Sequence, residues 1–479
     1  MMDTSKARFE VDLLDREVQK PIDLFNISNS LRKDQPGLEQ FLLESIDGPK
    51  ADRRQSILGI GVQFSLVITN GQIKLTGDKG LIETFNAYLK RLDQKTAPLF
   101  GIFQLIRMVE NSGEVRWPNG TISKLPLLTI ISYDAGSPEK PNNVTLTTPD
   151  LIVILPMVIL ALDHSKNHYS FISVNPVNQN MQGNSVKTIM LKYISDDSSY
   201  HCNILDPKKT PVHFTVSSVQ YHEMVKTALD YILSGDVYQI QLGHEVLVET
   251  AEEPTLIYSR LRTLNPSPYM FYVTLPSITL MGASPELFVR IEDGVVQMRP
   301  LAGTLAKSTK INRFLLSTNP KEQAEHIMLV DLCRNDLGRI SRIGSVKVPE
   351  LATMEEYPSV FHLVSSIMGH LRSELDVWDA VESCFPAGTM TGTPKLRAIK
   401  IIAEQELTKR GVYAGTIAYS NGRGDIVSAL IIRTLVFQNG IVSVRASAGI
   451  VADSEPKKEW NETLAKIQSS LMAVTTTRI

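Results

Sequence analysis

Three of the Asn-Gly pairs in this 479-residue chain constrain its fold more than any other local feature. The pairs are Asn70-Gly71, Asn421-Gly422 and Asn439-Gly440, and each stands between runs of β-branched residues. Asparagine and glycine tolerate the positive φ angles of a two-residue turn between antiparallel strands. The sheets of this protein are therefore predicted to be largely antiparallel.

Helical patterns lie between the predicted strands. Residues 221–233 carry one apolar stripe and are followed by Gly235, a typical helix terminator. The longest apolar run, 151–162, is interrupted by Pro156. It is well short of the roughly 20 residues that cross a bilayer, so it is interpreted as a buried strand. This mixture predicts an α+β fold rather than a doubly wound parallel sheet.

The charge and cysteine content argue against several classes of protein. The 49 basic and 51 acidic residues give a net charge of -2, so the sequence does not indicate a nucleic-acid surface. Cys202, Cys333 and Cys384 are too few and too widely spaced for a disulfide framework or a metal knuckle. The N-terminus lacks the basic start and apolar stretch that export requires. We therefore expect a cytoplasmic protein without nucleic-acid or membrane partners.

The middle of the chain marks a boundary. Residues 173–212 are rich in Asn, Ser, Asp and Pro and are weakly periodic, which is typical of a connecting segment. They predict an N-terminal region over 1–172, a linker over 173–212 and a C-terminal region over 213–472. Most of the candidate functional residues fall in the C-terminal region.

One acidic helix is predicted to begin at Asn319 as N-cap, with Pro320 at its first helical position. Glu322 and Glu325 then lie one turn apart on the same face. Taken alone, this pattern is typical of a capping box and of acidic residues that favour the positive end of a helix.

A second acidic pair lies near the C-terminus. Glu459 and Glu462 share a helix face with Lys466, opposite an apolar stripe that begins at Trp460. This pattern alone is typical of a solvated helix face. Four carboxylates on two helices could, however, hold Mg²⁺ partly through water and leave positions open for a substrate carboxylate.

Five segments of the chain resemble one enzyme family. They are GASPE at 282–286, RPLAGT at 299–304, KEQAEHIMLVDLCRNDLGR at 321–339, FPAGTMTGTPK at 385–395 and Glu-x-x-Glu-Thr-x-x-Lys at 459–466. In this order and spacing they resemble the chorismate-utilising enzymes, above all anthranilate synthase component I. The resemblance implies an α+β fold of two stacked, largely antiparallel sheets flanked by helices. It also implies an active site within residues 213–472.

The resemblance assigns a binding role to twelve residues. The implied ligands of Mg²⁺ are Glu325 and Glu462 directly, and Glu322 and Glu459 through water. The cation would hold the ring carboxylate of chorismate, the implied substrate. The other implied substrate contacts are those of Ala302, Gly303, Thr304, Tyr413, Arg433, Ala448, Gly449 and Lys466. Tyr413 and Arg433 are expected at the enolpyruvyl carboxylate, because an arginine fork pairs with it bidentately.

Four residues are implied to act in the reaction itself: Glu286, His362, Thr389 and Gln239. A hydroxyl must leave C4 as a nucleophile arrives at C2, so an acid must protonate it. Glu286, between apolar neighbours, is the implied acid with a raised pKa, although it could also cap a turn. His362 has the strand position of a core histidine. The resemblance implies instead that it supports the loss of pyruvate, while Thr389 orients the ring.

Two positions separate the related activities of the family. Addition of water at C2 calls for a lysine base, where this chain has Gln239, and amination at C4 uses a lysine where this chain has Ala302. Direct attack of ammonia at C2 remains. No cysteine of this chain stands in the Gly-x-Cys-x-Gly elbow of a glutaminase, so ammonia is expected from a separate glutamine amidotransferase subunit.

Two further segments resemble the tryptophan-sensing element of the family, where tryptophan is expected to inhibit. Their implied tryptophan contacts are Leu43, Glu44 and Ser45 in the first segment, and Asn265, Pro268, Tyr269 and Met270 in the second. An apolar surface with amide-binding groups suits an indole amino acid. Both segments are also compatible with an ordinary strand and turn.

Residues 242–245, Leu-Gly-His-Glu, depart from the Ser- and Arg-rich sequence expected of the commonest anthranilate synthases. A synthase that aminates C2 but releases aminodeoxyisochorismate would share almost every motif. An aminodeoxychorismate synthase is a further alternative. A different class is a non-catalytic tryptophan sensor, although a sensor would not need the acid, the histidine and the four glutamates together.

Overall fold

The computed structural model describes residues 6–18, 22–89, 98–136, 145–177, 194, 206–307, 319–357 and 360–479. Its strands are β1 (Ala7–Glu17), β2 (Gln40–Glu44), β3 (Gln55–Thr69), β4 (Gln72–Gly77), β5 (Gly113–Arg116), β6 (Ile122–Ser123), β7 (Leu127–Ile131), β8 (Leu151–Asp163), β9 (His168–Pro176), β10 (His213–Phe214), β11 (Gln239–Glu249), β12 (Tyr269–Leu275), β13 (Ile278–Ser284), β14 (Leu287–Glu292), β15 (Val295–Met298), β16 (Leu301–Ala306), β17 (Lys347–Glu356), β18 (Val360–His370), β19 (Gly392–Thr393), β20 (Thr416–Ser420), β21 (Ile426–Leu430), β22 (Thr434–Gln438) and β23 (Ile441–Ile450).

The α-helices are α1 (Leu24–Asp34), α2 (Lys79–Leu89), α3 (Pro98–Asn111), α4 (Tyr133–Gly136), α5 (Ser218–Leu233), α6 (Pro254–Leu264), α7 (Pro320–Gly338), α8 (Val377–Cys384), α9 (Lys395–Gln405) and α10 (Pro456–Leu471), and a 3₁₀ turn spans Gly388–Met390. No helix within the described ranges combines the length and the apolar character that a bilayer crossing needs.

The long antiparallel pair of β3 and β8 joins two arms of sheet. The first arm runs from β3 through β2, β12, β13, β22 and β23 to β11. The second runs from β8 through β7, β20, β21, β14 and β15 to β18, which also pairs with β16 and β17. Among the described strands, the only parallel neighbours are β1 and β5. The prediction of largely antiparallel sheets is confirmed.

The two arms face each other across an apolar layer. Phe271 and Leu280 of the first arm are buried in the same cluster as Ile130 and Ile417 of the second. Helices α1, α6 and α10 cover the outside of the first arm, while α2, α3, α7 and α8 cover the second. Burial of an apolar face on each side of a sheet is the main stabilising term in such a layered fold. The predicted arrangement of two stacked sheets flanked by helices is confirmed, with β3 and β8 joining the sheets.

The chain crosses between the arms at two neighbouring places. Glu286 lies where β13 of the first arm gives way to β14 of the second, and Arg433 lies where β21 of the second gives way to β22 of the first. Backbone hydrogen bonds join the crossings, from Leu430 N to Glu286 O at 3.2 Å and from Ala283 N to Arg433 O at 3.1 Å. Two residues that the sequence marks as functional are therefore side by side.

Two of the three predicted tight turns are confirmed. Asn70-Gly71 joins β3 to β4 and Asn439-Gly440 joins β22 to β23, with positive φ at all four positions. The prediction for Asn421-Gly422 is wrong, because five residues separate β20 from β21. The side-chain oxygen of Asn421 accepts from Arg423 N and Asp425 N at 2.8 and 3.2 Å, and this closes a wider loop.

The predicted helix and buried strand are also present. Helix α5 begins at Ser218, three residues before the predicted start, because Ser217 and Gln220 form a capping box there. Gly235 follows the helix with φ of 81°. Strand β8 covers the apolar run and is buried along almost its whole length.

The predicted regional boundaries remain a prediction. Strand β9 extends to Pro176, so the proposed linker begins inside a strand. The rest of that linker falls largely outside the described residues, at 178–193 and 195–205. Strand β2 pairs with β12 and β7 pairs with β20, so the N-terminal and C-terminal regions share both arms.

Candidate active site

Glu286 is buried at the crossing from β13 to β14, with 7% of its surface exposed. Its carboxyl group is hydrogen-bonded to the Thr389 side chain and to the backbone N–H of Leu301. Burial raises the pKa of Glu286 to about 8, although both hydrogen bonds act in the opposite direction. The carboxyl group is therefore mostly protonated at pH 7, and its role as the proton donor stays a prediction.

His362 lies on β18 opposite a bulge in β16. The bulge is at Gly303, whose φ of 62° needs glycine and turns its carbonyl oxygen to within 2.8 Å of His362 Nδ1. A carbonyl oxygen only accepts, so Nδ1 is assigned the proton and Nε2 the lone pair. Burial lowers the pKa of His362 to about 4, to which Arg433 and Lys466 contribute electrostatically. The imidazole is therefore neutral at pH 7 and retains one basic nitrogen.

The predicted anion-binding residues gather around Ser447 of β23. Tyr413 Oη lies 2.8 Å from Ser447 Oγ, and Lys466 Nζ donates to the Ser447 carbonyl oxygen at 2.9 Å. Lys466 also pairs with Glu462 at 2.7 Å. Arg433 has a φ of 51° and reaches Ser469 Oγ of α10 at 3.4 Å. The two cations that lower the pKa of His362, Arg433 and Lys466, are thus both bonded to serine groups near the C-terminal end of the chain.

Two glutamines of β11 pack against Gly449 of β23. Gln241 is directly paired with Gly449. A Cβ atom at position 449 would lie 2.7 Å from Gln239 Nε2 and 3.0 Å from Gln241 Nε2, so only glycine fits there without displacing them. Gln241 accepts from Ser447 Oγ at 3.1 Å. The side-chain oxygen of Gln239 is buried and has no hydrogen-bond partner among the described residues.

The remaining predicted substrate contacts lie on strands next to these groups. Ala302 pairs with Leu363 on one side of the Gly303 bulge, and Thr304 pairs with His362 on the other. The side chain of Thr304 is outside the described part of the structure. Ala448 is buried and pairs with Leu242.

The four predicted magnesium ligands do not form a metal cluster. Glu322 and Glu325 are half-buried on α7, whereas Glu459 is buried and Glu462 exposed on α10. Helix α7 packs on β16 and β18, while α10 packs on β23 and α5. In the described ranges, no three His, Cys, Asp or Glu side chains are placed to share a metal ion. Carboxylates suit Mg²⁺ chemically, but these four side chains are not arranged around one ion in this structure, and no catalytic step is assigned to a metal.

The predicted tryptophan contacts largely line one cavity of about 340 Å³ between the arms. This volume is within the range of small-molecule sites, roughly 300 to 1,000 Å³. Its lining includes Leu43, Glu44, Ser45, Pro268, Tyr269 and Met270. Asn265 is elsewhere, at the end of α6, where its amide donates to Ser469 O of α10. The Asn265 side chain is therefore held against α10 and is not part of the cavity lining.

Glu44 on the cavity wall is held from outside the cavity. Arg262 donates to both Glu44 carboxylate oxygens, at 2.9 and 3.2 Å, and Tyr258 Oη donates to one of them at 2.9 Å. Ser45 Oγ donates to Pro268 O at 2.8 Å and so links the two predicted segments. Elsewhere on the cavity wall, Tyr269 Oη donates to Asp52 at 2.7 Å.

Sequence reasoning missed three site residues. Gln241 and Ser447 could have been found, because each is two residues from a predicted site residue and therefore on the same strand face. Tyr357, whose ring meets that of His362 edge to face at 5.1 Å, follows β17 and is brought there only by tertiary pairing. No sequence signal marks it.

The sequence of this chain is similar to those of known enzymes. Residues 77–472 match the family of chorismate binding enzymes. The chain is 36% identical to 2-amino-4-deoxychorismate synthase of Streptomyces globisporus over 91% of both chains. It is 34% identical to anthranilate synthase component 1 of Acinetobacter calcoaceticus over 91% of this chain and 90% of that one.

A solved structure is similar throughout most of the fold. Anthranilate synthase component I from Streptococcus pneumoniae superposes with a TM-score of 0.71 at 31% identity, covering 87% of this chain and 92% of the other. The family match leaves out β2 and β3 but covers the other strands of both arms and the segments that carry Glu286, His362, Thr389 and Lys466. This chain therefore belongs to the chorismate binding enzyme family.

Proposed function

We propose that this chain aminates chorismate at C2 with ammonia and releases anthranilate and pyruvate. The observation that carries this proposal is a pair of uncharged groups bonded to the same strand, β16. They are a protonated acid at Glu286, bonded to Leu301 N, and a neutral imidazole at His362, bonded to Gly303 O. One can give a proton and the other can take one near pH 7. The two steps of the proposed reaction need these two functions in turn.

In the first step, the nitrogen of ammonia forms a bond to C2, the double bonds shift, and the C4 hydroxyl leaves. Glu286 gives its proton to that oxygen, so water departs and the carboxylate remains. Hydrogen bonds from Thr389 and Leu301 N stabilise this carboxylate. Each is worth more toward a charged acceptor than toward a neutral one.

Gln239 favours ammonia over water in this step. Water needs a base to become a good nucleophile, and a glutamine amide has no basic nitrogen at neutral pH. Ammonia carries its own lone pair. The buried oxygen of Gln239 can accept a hydrogen bond from an N–H, and Gly449 leaves it room beside the strand.

In the second step, the C2 proton is removed and the C3–O bond breaks with its electron pair going to oxygen, so that the ring becomes aromatic. Pyruvate leaves as its enolate, which then takes a proton from water. His362 Nε2 is the proposed base. Its partner Gly303 O holds the Nδ1 proton, which fixes the tautomer that leaves Nε2 basic. Arg433, Lys466 and Tyr413 are proposed to hold substrate carboxylate groups nearby.

A separate subunit is proposed as the source of ammonia. Cys333 and Cys384 are buried, and burial raises the pKa of both thiols far above neutrality. Neither can act as the exposed thiolate that glutamine hydrolysis requires. Purified protein should use ammonium but not glutamine, and turnover with glutamine alone would oppose the proposal.

We also propose that Mg²⁺ activates the enzyme, and the support for this is the chemistry of the four glutamates alone. Tryptophan is proposed as an inhibitor, and the support for this is the lining of the cavity alone. Their tests are separate from that of the main reaction. Removal of divalent ions with a chelator and stepwise return of Mg²⁺ should restore turnover. Calorimetry with tryptophan should detect binding in the absence of chorismate.

The main test is a coupled assay of purified protein with chorismate, Mg²⁺ and ammonium. Anthranilate is followed by fluorescence, and pyruvate is followed by lactate dehydrogenase. Equal amounts of both products are expected, and the Glu286→Gln variant serves as the inactive control. Formation of isochorismate without ammonium would overturn the proposed nucleophile. Tryptophan binding without any chorismate consumption would favour the sensor.

A second candidate is a synthase that stops after the first step. Its support is the Streptomyces globisporus relative, whose name describes chorismate with an amine at C2 and without the C4 hydroxyl. Residues 242–245 also depart from the commonest anthranilate synthases. Ammonium-dependent chorismate consumption without pyruvate would identify this activity. Amination at C4 is disfavoured, because Ala302 cannot act as a nucleophile.

A further inference from the structure

Arg410 is a buried arginine outside the predicted site, with 5% of its surface exposed. Its guanidinium donates to two backbone carbonyl oxygens, Met390 O at 2.7 Å and Gln241 O at 2.9 Å. It also stacks over the ring of Tyr133, with 4.5 Å between the guanidinium carbon and the ring centre. One rigid, planar group thus spans two segments of backbone that are far apart in the sequence.

The two backbone segments carry groups with different roles in the proposed reaction. Met390 follows Thr389, which bonds the acid Glu286. Gln241 is two residues after Gln239 on β11 and packs against Gly449. The guanidinium therefore connects the backbone that carries the proton-donor side to the backbone that carries the nucleophile side.

Glu406 fixes the orientation of this bridge. It accepts from Arg410 Nε at 3.0 Å and from the adjacent terminal nitrogen at 2.8 Å, a bidentate pair. It also accepts from Gly243 N of β11 at 2.9 Å. Burial opposes ionisation of Glu406, but Arg410 and Arg445 outweigh burial and lower its pKa.

Arg445 is a natural control for Arg410. It donates to the same carboxylate, with 2.7 Å to Glu406, and is similarly buried. Its other bonds go to Thr408 and to Lys409 O, outside the proposed site. Replacement of either arginine disturbs the same buried ion pair, but only Arg410 holds the site backbone.

We propose that Arg410 is a positioning residue that sets the spacing between the Glu286–Thr389 side and the Gln239 side of the active site. The proposal rests on the proposed function, because it assumes that these two sides act on one substrate. Lysine in place of Arg410 keeps the charge opposite Glu406 but cannot span both carbonyl oxygens. Substrate should still bind, and the chemical step should be slowed.

The kinetic test compares Arg410→Lys with Arg445→Lys by following chorismate consumption, whatever the product. Arg410→Lys should lower kcat by about 100-fold with a smaller change in KM, since misplacement of reacting groups by about 1 Å has an effect of that order. Arg445→Lys should stay close to wild type. Equal losses in both variants, or a loss confined to KM, would overturn the proposal.

A second measurement does not depend on activity. Hydrogen–deuterium exchange of the substrate-free protein should be faster in peptides covering 386–393 and 239–243 in Arg410→Lys, but not in Arg445→Lys. Unchanged exchange would overturn the proposal even if the enzyme assay failed for another reason. Inactivity of the wild type with the expected exchange result would count against the proposed function alone.

Arg410→Gln and Arg445→Gln provide a second matched pair if the lysine variants do not fold. The same contrast in kcat and in exchange is expected. Unfolding of both Arg410 variants, with both Arg445 variants folded by circular dichroism, would show a structural role and would also overturn the proposal.

Discussion

The pH dependence of the first chemical step depends on Glu286. A carboxyl group with a pKa of about 8 is about nine-tenths protonated at pH 7 and about one-tenth at pH 9. If Glu286 is the acid, activity is present below pH 8 and falls as pH rises through that value. Thr389 stabilises the ionised form, so removal of its hydroxyl should raise the pKa and move the decline to higher pH.

The size of that displacement can be worked from the hydrogen bond. A bond worth about 1 kcal/mol corresponds to roughly 0.7 pH units at 1.36 kcal/mol per unit. Thr389→Val should therefore shift the alkaline limb of kcat upward by about that amount, whatever it does to the maximum rate. Thr391→Val is the matched control, because the Thr391 hydroxyl donates to Ala387 O instead.

The assay must separate the enzyme from its nucleophile, because free ammonia itself increases with pH. Total ammonium is therefore adjusted so that free ammonia is constant and saturating from pH 6 to 10. The activity of the wild type and of Thr391→Val should decline over the same pH range, and the activity of Thr389→Val should decline at higher pH. A flat wild-type profile through pH 8, or a limb that Thr389→Val does not move, would refute the assignment of Glu286.

Three other perturbations test separate parts of the structure. His362→Gln should reduce pyruvate release more than chorismate consumption in the coupled assay, and equal reduction would contradict its role as the second-step base. Leu43→Trp should fill the cavity on β2 and abolish calorimetric binding of tryptophan without loss of turnover; undiminished binding would place tryptophan elsewhere. Burial lowers the pKa of His244 to about 3, so this side chain stays neutral in the folded protein. In the unfolded chain it takes up a proton near pH 6.5, and acid therefore favours the unfolded state. Between pH 7 and pH 5, the unfolding free energy of His244→Phe in urea should fall by about 2 kcal/mol less than that of the wild type, and parallel pH profiles would contradict this.

The sequence was most informative where a local rule decides the outcome. The apolar run of β8, the two hairpins with Asn-Gly turns and the end of α5 at Gly235 all follow from backbone preferences and burial. The turn at Asn421-Gly422 could not be separated from these by composition. Its form depends on a side-chain bond from Asn421 to the backbone and on contact of Gly422 with the backbone of Lys124.

The candidate site was less accessible to sequence reasoning, because its geometry is tertiary. Resemblance supplied Glu286, His362 and Gln239, and the apolar neighbours of Glu286 suggested its raised pKa, but the lowered pKa of His362 depends on burial in the tertiary structure. Tyr357 and Arg410 carry no motif of their own. The helices α7 and α10 pack on different strands, and neither helix pattern could show how their glutamates are placed relative to one another.

The two crossings between the arms explain why the reactive groups lie where they do. A residue within a regular strand has its backbone groups committed to neighbouring strands and its side chain directed to one face. Glu286 and Arg433 leave that pattern, and Arg433 adopts a left-handed conformation that costs roughly 1 to 2 kcal/mol for a non-glycine residue. The bonds from Leu430 N and Ala283 N hold both crossings in place. An acid and a cation thus begin at neighbouring backbone positions along the line where the two sheets meet, because the backbone bonds that hold these crossings also join the two arms.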